Sequence, residues 1–156
     1  MFCFYDKLRD TVTGYEGVVT CIIDDLGSVR RYALQAPVNK EGKVPDPVSF
    51  DEPQLEMVEE SEKRRSFTTT PAFNFKDEVE ETLTGIKGVI TSCTEFLNGC
   101  VRYGVQTKFR EGSDKLPILY YAYEQSLVLV KASTAKEVKK TGGPIGGVPA
   151  MVKDQF

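Results

Sequence analysis

The sequence predicts an all-β protein built from two copies of one small module. Residues 11–35 align without gaps with residues 82–106, and ten of the twenty-five aligned positions are identical. Each copy contains β-branched runs, VVTCII in the first and VITSC in the second, and such runs favour strands. The pairs Gly27-Ser28 and Asn98-Gly99 then occupy equivalent positions, and both are typical of tight hairpin turns. The repeat therefore predicts the same β-hairpin twice.

The remainder of each copy predicts a small barrel. A long loop rich in glycine, proline and charge follows the hairpin, and closing strands are predicted at residues 48–58 and 118–130. Four or five short strands in about 55 residues suit an SH3-like barrel, because a closed sheet leaves few exposed strand edges. We therefore predict two tandem SH3-like barrels, at residues 1–58 and 75–130.

Two segments lie outside the predicted barrels. Residues 59–74 are charged, then hydroxyl-rich, then interrupted by Pro71, which is the composition of a linker. Residues 131–156 form an extended basic tail with five lysines against two acidic residues. Its glycines and prolines favour neither a helix nor an interior strand. Two interpretations stay open, a solubilising disordered end and a peptide that becomes ordered on a partner surface.

Composition argues against enzyme activity. The 156 residues include no histidine, which removes Ser-His-Asp and Cys-His catalysis and His-ligated zinc. The four cysteines contain no C-x-x-C pair, so we expect small apolar side chains instead of metal ligands. Adjacent acids such as Asp24-Asp25 point to opposite faces of a strand, a poor arrangement for shared acid-base work. We expect no catalysis, no cofactor and no metal.

Four glycines precede the first hairpin strands and invite comparison with a phosphate-binding loop. They are Gly14, Gly17, Gly85 and Gly88. Their motif runs into a strand instead of a helix and lacks the Lys-Ser/Thr ending that phosphate loops need. We therefore predict that they mark a bend or bulge in the strand.

Polar residues repeat on one predicted strand face of both copies. In the second hairpin strand, arginine and glutamine alternate with tyrosine and an aliphatic residue, so the two pairs point to opposite faces. The outward set is Arg31, Gln35, Arg102 and Gln106. One interpretation is that they hold the long loop or a nearby acid such as Glu52 or Glu124. The other is that they bind a partner's carboxylate, phosphate or peptide backbone.

The second copy adds a tyrosine cluster, Tyr120-Tyr121-Ala122-Tyr123. Tyr121 and Tyr123 share a face opposite Tyr120, and one of the two faces belongs to the core. Exposed tyrosines can bind proline-rich peptides or stack on a base. The overall charge of -3, with basic residues concentrated in the tail, disfavours binding to nucleic acid.

The strings TGIKGVITSCTEFLNGCVRYGVQ, FDEPQL and the late TGGP carry a resemblance. The chain resembles a family of small uncharacterised proteins of tailed bacteriophages and prophages, with a TGF-x-G, NGC-VRY-x-VQ core and a TGGP tail. Here the core is duplicated, and the first copy has Gly27-Ser28-Val29 in place of Asn-Gly-Cys. The resemblance covers about 110 residues plus Thr141, Gly142, Gly143 and Pro144, and we include those four among the candidate partner-binding residues.

A phage origin implies two kinds of function. The favoured one is a non-enzymatic virion protein, an accessory or decoration subunit that binds other virion proteins through its barrel faces and tail, with homo-oligomers also open. The alternative is a host-directed inhibitor, acting in counter-defence or host takeover in the host cytoplasm by binding a host protein or a signalling nucleotide. The amino-terminal segment reaches a charge after five residues, so we expect neither a signal peptide nor a membrane span.

Overall fold

The computed structural model describes residues 1–67 and 71–134, which form an all-β fold without an α-helix, as predicted. The ten strands are β1 (Lys7–Asp10), β2 (Glu16–Asp25), β3 (Arg31–Gln35), β4 (Val48–Asp51), β5 (Leu55–Glu59), β6 (Glu78–Glu81), β7 (Lys87–Phe96), β8 (Val101–Gln106), β9 (Leu119–Tyr123) and β10 (Leu127–Lys131). None of the described residues belongs to a helix able to cross a membrane.

Strands β1–β5 and β6–β10 repeat one antiparallel arrangement. In the first half, β1 pairs with β2 and β5, while β3 pairs with β2 and β4. The second half repeats these pairings with β6 in the place of β1. Short 3-10 turns, Glu52–Gln54 and Glu124–Ser126, join the last two strands of each half. The sequence repeat is thus a repeat of strand topology.

The sheet is open, which corrects the prediction of closed barrels. Among the described strands, no ladder joins β4 to β5 or β9 to β10. The segments predicted to hold the closing strands, 48–58 and 118–130, each contain two strands separated by a 3-10 turn. Each turn redirects the chain, so that the final strand pairs with the first strand of its half and not with its predecessor. All ten strands consequently belong to one sheet.

The two halves are joined by an antiparallel pairing of β2 with β7. Its middle pair joins Ile23 to Thr94, which are equivalent positions of the repeat, so the junction has approximate two-fold symmetry. The Leu26 amide donates to the Thr91 carbonyl at 2.8 Å, and the equivalent Leu97 amide donates to Thr20 at 2.9 Å. The bulges in β2 and β7 fall at equivalent positions as well. Equivalent strand edges of the two halves thus pair with each other within a single chain.

Each half buries its own apolar core. The first contains Phe4, Leu8, Val19, Ile22, Tyr32, Leu34 and Leu55. The second contains Val79, Ile90, Cys93, Val101, Tyr103, Val105, Ala122 and Leu127. Phe67, from the predicted linker, packs against both cores. The predicted alternation in β3 and β8 is confirmed, because Tyr32, Leu34, Tyr103 and Val105 are fully buried.

The second hairpin turn lies where the sequence places it but is longer than the two-residue turn that Asn-Gly favours. An Asn-Gly type I′ turn requires positive φ at both residues, whereas only Gly99 has it, at +87°. The Phe96 amide donates to the Cys100 carbonyl, and the Gly99 amide donates to the Phe96 carbonyl. These bonds enclose three residues, 97–99. The turn is therefore a three-residue hairpin loop whose last residue is a glycine with positive φ.

The predicted linker packs against the body. Its first residue, Glu59, ends β5, and Arg65 forms an isolated bridge with Phe4. The Arg65 guanidinium lies 4.3 Å from the centre of the Phe4 ring and also contacts Glu95 of β7. Residues of the linker therefore contact both halves at their junction.

The predicted start of the tail, residue 131, falls inside β10. Beyond it, the Ser133 amide donates to Asp77 at 2.7 Å, so two further residues lie against the body. The candidate residues Thr141, Gly142, Gly143 and Pro144 lie outside the described residues.

Candidate functional site

The predicted polar pair of the first half has structural partners. Arg31 contacts Asp25 through Nε at 3.1 Å and Nη2 at 2.5 Å. Gln35 Nε2 donates to the carbonyls of Ala36 at 3.0 Å and Pro45 at 2.7 Å. Gln35 therefore holds the long loop, as one interpretation predicted, and Arg31 holds an acid.

That acid is not Glu52, and Glu124 is not held by arginine either. The buried Tyr32 hydroxyl donates to Glu52 at 3.1 Å, and the equivalent Tyr103 hydroxyl donates to Glu124 at the same distance. Burial raises the pKa of Tyr32 to about 12 and also raises the pKa of Tyr103, so both hydroxyls remain protonated donors. The repeated acids are therefore explained by the buried tyrosines.

Arg102, the counterpart of Arg31, is held by aromatic rings instead. Its Cζ lies 5.0 Å from the centre of the Phe96 ring and 4.9 Å from that of Tyr121. A guanidinium over an aromatic face is attracted by the electrons of the ring. Its Nε is buried and has no hydrogen-bond partner among the described residues. Arg102 is thus fixed in position without an acidic side chain.

The repeat and the strand register show how the two halves diverged around this arginine. β3 pairs Arg31 with Asp51 and Ala33 with Ser49, whereas β8 pairs Arg102 with Tyr123 and Gly104 with Tyr121. The gap-free alignment also matches Asp25, the last residue of β2, with Phe96, the last residue of β7. The second half therefore has Phe96, Tyr121 and Tyr123 at the positions of Asp25, Ser49 and Asp51 in the first half. The two equivalent strand faces share an arginine, but one surrounds it with two acids and a serine and the other with aromatic rings.

Phe96, Arg102, Leu119, Tyr121 and Tyr123 form what we call the aromatic face. Leu119, Tyr121 and Tyr123 alternate along β9 and are 44%, 49% and 52% exposed. Gly104 leaves room for Leu119 of this row and for Ser92 of β7, because a Cβ there would lie 3.2 Å from Leu119 and 2.8 Å from Ser92. β9 pairs only with β8 among the described strands, so it is an edge of the sheet.

The structure brings four of the predicted site residues together. Arg102, Gln106, Tyr121 and Tyr123 share one face of β8 and β9, with Gln106 at its far end opposite Leu119. Arg31 and Gln35 lie on the equivalent face of the first half. Sequence reasoning missed Phe96 and Leu119. The signal for Phe96 was available, since an aromatic residue replaces an aspartate at an aligned position.

A groove on the same half is a second candidate surface, but its charges make it a poor site for an anion. A groove of about 1210 Å³ runs between β6, β7 and the loop after β8. Two of its lysines are engaged, because Lys108 contacts Glu78 and Lys87 lies 3.3 Å from Glu80. These carboxylates neutralise much of the positive charge of the groove.

The cysteines are placed for packing. Burial raises the pKa of Cys93 to about 12 and also raises the pKa of Cys21, which keeps both thiols protonated at neutral pH. Among the described residues, no cluster of cysteine and acidic side chains has the geometry of a metal site.

Comparison of the chain with models of protein families, with curated proteins and with solved structures finds no match. The resemblance to phage proteins therefore stays a prediction.

Proposed function

We propose that this is a non-enzymatic phage protein that serves in the virion as an accessory or decoration subunit. It binds other virion proteins through its sheet faces and its basic tail. Each half is proposed to be an open form of the SH3-like barrel. The strand order β5-β1-β2-β3-β4, with a 3-10 turn before the last strand, supports that proposal.

The observation that carries the proposal is the divergence of the two halves. The two halves share one scaffold, yet the second half has Phe96, Tyr121 and Tyr123 around Arg102 where the first half has Asp25, Ser49 and Asp51 around Arg31. Tyrosine, phenylalanine and arginine are enriched at the centres of protein interfaces. Tyr121 and Tyr123 are about half exposed on an edge strand, and recognition of a protein partner explains two such rings there better than packing does.

The duplicated module and the tail fit the same function. A virion presents many copies of each partner, and several weak contacts in one chain then give tight overall binding. The tail carries a net positive charge and the body a net negative one, so the two offer different surfaces to neighbouring subunits. An arm that becomes ordered on its neighbour is a common way to add such contacts.

Quantitative peptide mass spectrometry on purified phage particles and on infected-cell lysate tests the proposal. We expect tens to hundreds of copies in each particle. A variant that ends at Thr134 keeps the Ser133 contact with Asp77, and we expect it to fold but to be depleted from particles. An abundant protein in the lysate that is absent from particles would refute the virion function.

The alternative is a host-directed inhibitor that acts in the host cytoplasm by binding a host protein or a signalling nucleotide. The observation in its favour is the same stack of Phe96, Arg102 and Tyr121, because a base can stack on exposed rings and arginine. The lysate fraction of the same experiment, captured on the immobilised full chain, distinguishes the two functions. A stoichiometric host protein or nucleotide retained there would favour the inhibitor.

A further inference from the structure

We propose that the aromatic face binds an extended, carboxylate-bearing segment of a partner protein, and that Arg102 receives the carboxylate. This inference rests on the proposed function in requiring a protein partner, and it names the chemistry of that partner. It needs no covalent step.

The arginine of the first half has acidic neighbours that the arginine of the second half lacks. Arg31 has Asp25 as its ion partner and faces Asp51 across the strand pair. Their equivalents beside Arg102 are Phe96 and Tyr123, and among the described residues no carboxylate lies within ion-pair distance of Arg102. Both halves have the arginine, but only the first half has the two acids beside it. A carboxylate supplied from outside would restore the pairing that the first half makes internally.

The surroundings of Arg102 strengthen such a pairing. The rings of Phe96 and Tyr121 cover the guanidinium, and its Nε is shielded from solvent. Water screens a charge pair less where apolar groups exclude it, and the planar guanidinium matches the two oxygens of a carboxylate. The rings also hold the guanidinium in place, so little side-chain entropy is lost on binding.

The edge strand indicates that the ligand is extended. Leu119, Tyr121 and Tyr123 project at every second residue of β9, which is the period of a β-strand. An extended segment laid against this edge can place alternate apolar side chains on the same row. The expected ligand therefore has apolar residues at alternate positions and an acidic residue near Arg102.

Charge favours a segment of a partner protein over the chain's own tail as the ligand of the aromatic face. Residues 135–156 contain four lysines and two acidic residues, so the tail would bring like charge to Arg102. A phosphate ligand would be expected to find several cations, whereas this face offers the single guanidinium of Arg102. A carboxylate suits one guanidinium, as Asp25 does with Arg31.

The test is selection of a random twelve-residue peptide library on the immobilised full chain, followed by fluorescence anisotropy with the best synthetic peptide. We expect enrichment of an aspartate or glutamate flanked by apolar residues. Changing that acid to its amide should weaken binding at least about tenfold, and Arg102→Gln should weaken binding of the acidic peptide equally. Arg102→Gln should bind the amide peptide no more weakly than either change alone predicts, because both changes remove the same ion pair. Arg31→Gln, the matched change in the first half, should leave affinity unchanged.

A second variant tests the rings. Tyr121→Ser with Tyr123→Asp installs the residues of the first half on the same scaffold, and it should abolish peptide binding while circular dichroism shows a folded protein. Selection of no peptide, peptides without an acidic preference, full affinity in Arg102→Gln, or displacement of the peptide by adenosine monophosphate would each overturn the inference.

The particle experiment separates this inference from the proposed function. If Arg102→Gln enters particles at the wild-type level, the virion function stands and the aromatic face is not the contact used there. If the protein is absent from particles while the acidic peptide binds as expected, the inference stands and the virion function fails.

Discussion

Replacing Gly88 with alanine tests how closely β7 and β8 approach each other. A Cβ at this position would lie 2.5 Å from the Gln106 carbonyl oxygen and 2.7 Å from Val105 Cγ1. The nearest atom belongs to the backbone of a paired strand, so it cannot rotate away. Overpacking costs about 1–3 kcal/mol, and this contact should lie at the upper end of that range. Alanine also reduces the entropy of the unfolded chain, which offsets about 0.4–1 kcal/mol. We expect a net loss of about 2 kcal/mol.

Gly85 supplies the matched control, because its backbone conformation, and not the closeness of a neighbouring strand, favours glycine there. Its φ is +72°, and no heavy atom lies within 4 Å of a Cβ placed there. Alanine should therefore cost about 1 kcal/mol, through the left-handed backbone alone. Asparagine tolerates that conformation, so Gly85→Asn should be milder than Gly85→Ala. At Gly88 the order should reverse, since asparagine is larger than alanine.

Urea denaturation followed by circular dichroism measures the free energy of unfolding for all four variants. A loss of about 2 kcal/mol should also lower the melting temperature by roughly 4–8 °C in a chain of this size. The reasoning would be refuted if Gly88→Ala stayed within about 0.5 kcal/mol of the parent, a difference typical of neutral surface changes. It would also fail if asparagine were the milder substitution at both positions.

Two further predictions concern titration. Hydrogen bonds from Thr13 and Thr84 lower the pKa of Asp10 and Glu81 below their ordinary 3.8 and 4.5. Because these pKa values are lower in the folded state, their contribution is present above about pH 4.5 and is lost as pH falls through the folded values. Urea titrations between pH 6 and pH 2 should show that loss, and Thr84→Val should make it shallower; an unchanged slope would contradict the assignment. Cys93, whose pKa burial raises to about 12, should be the last thiol to react with iodoacetamide at pH 8, and peptide mapping showing it labelled as fast as the less buried Cys3 would contradict that.

Much of the fold was predictable because its signals are local. The β-branched runs, the left-handed glycines of the hairpins and the alternation of buried and exposed residues depend on neighbours along the chain. They predicted an all-β duplicated protein and the burial of Tyr32 and Tyr103. The candidate site was predicted in part by the same means, since alternation placed Arg102 with Gln106 and Tyr121 with Tyr123.

What the sequence alone could not supply was the pairing between distant strands. No local pattern indicates that Glu52 accepts a hydrogen bond from the Tyr32 hydroxyl and does not pair with Arg31. Tyr32 and Glu52 are brought together only by the strand pairing. The same holds for Phe96, which joins the site only because the hairpin sets its ring against Arg102.

The amino-acid sequence is enough to establish that the chain repeats one β module with an arginine at the same place in each copy. The fold adds that the modules share one open sheet through β2 and β7, and that the arginine of the second copy lies between aromatic rings with no acidic partner among the described residues. Neither could be predicted from local patterns, because hydrogen bonds between strands and contacts between side chains depend on register. Register is set by the packing of the whole sheet and not by any short stretch of the chain.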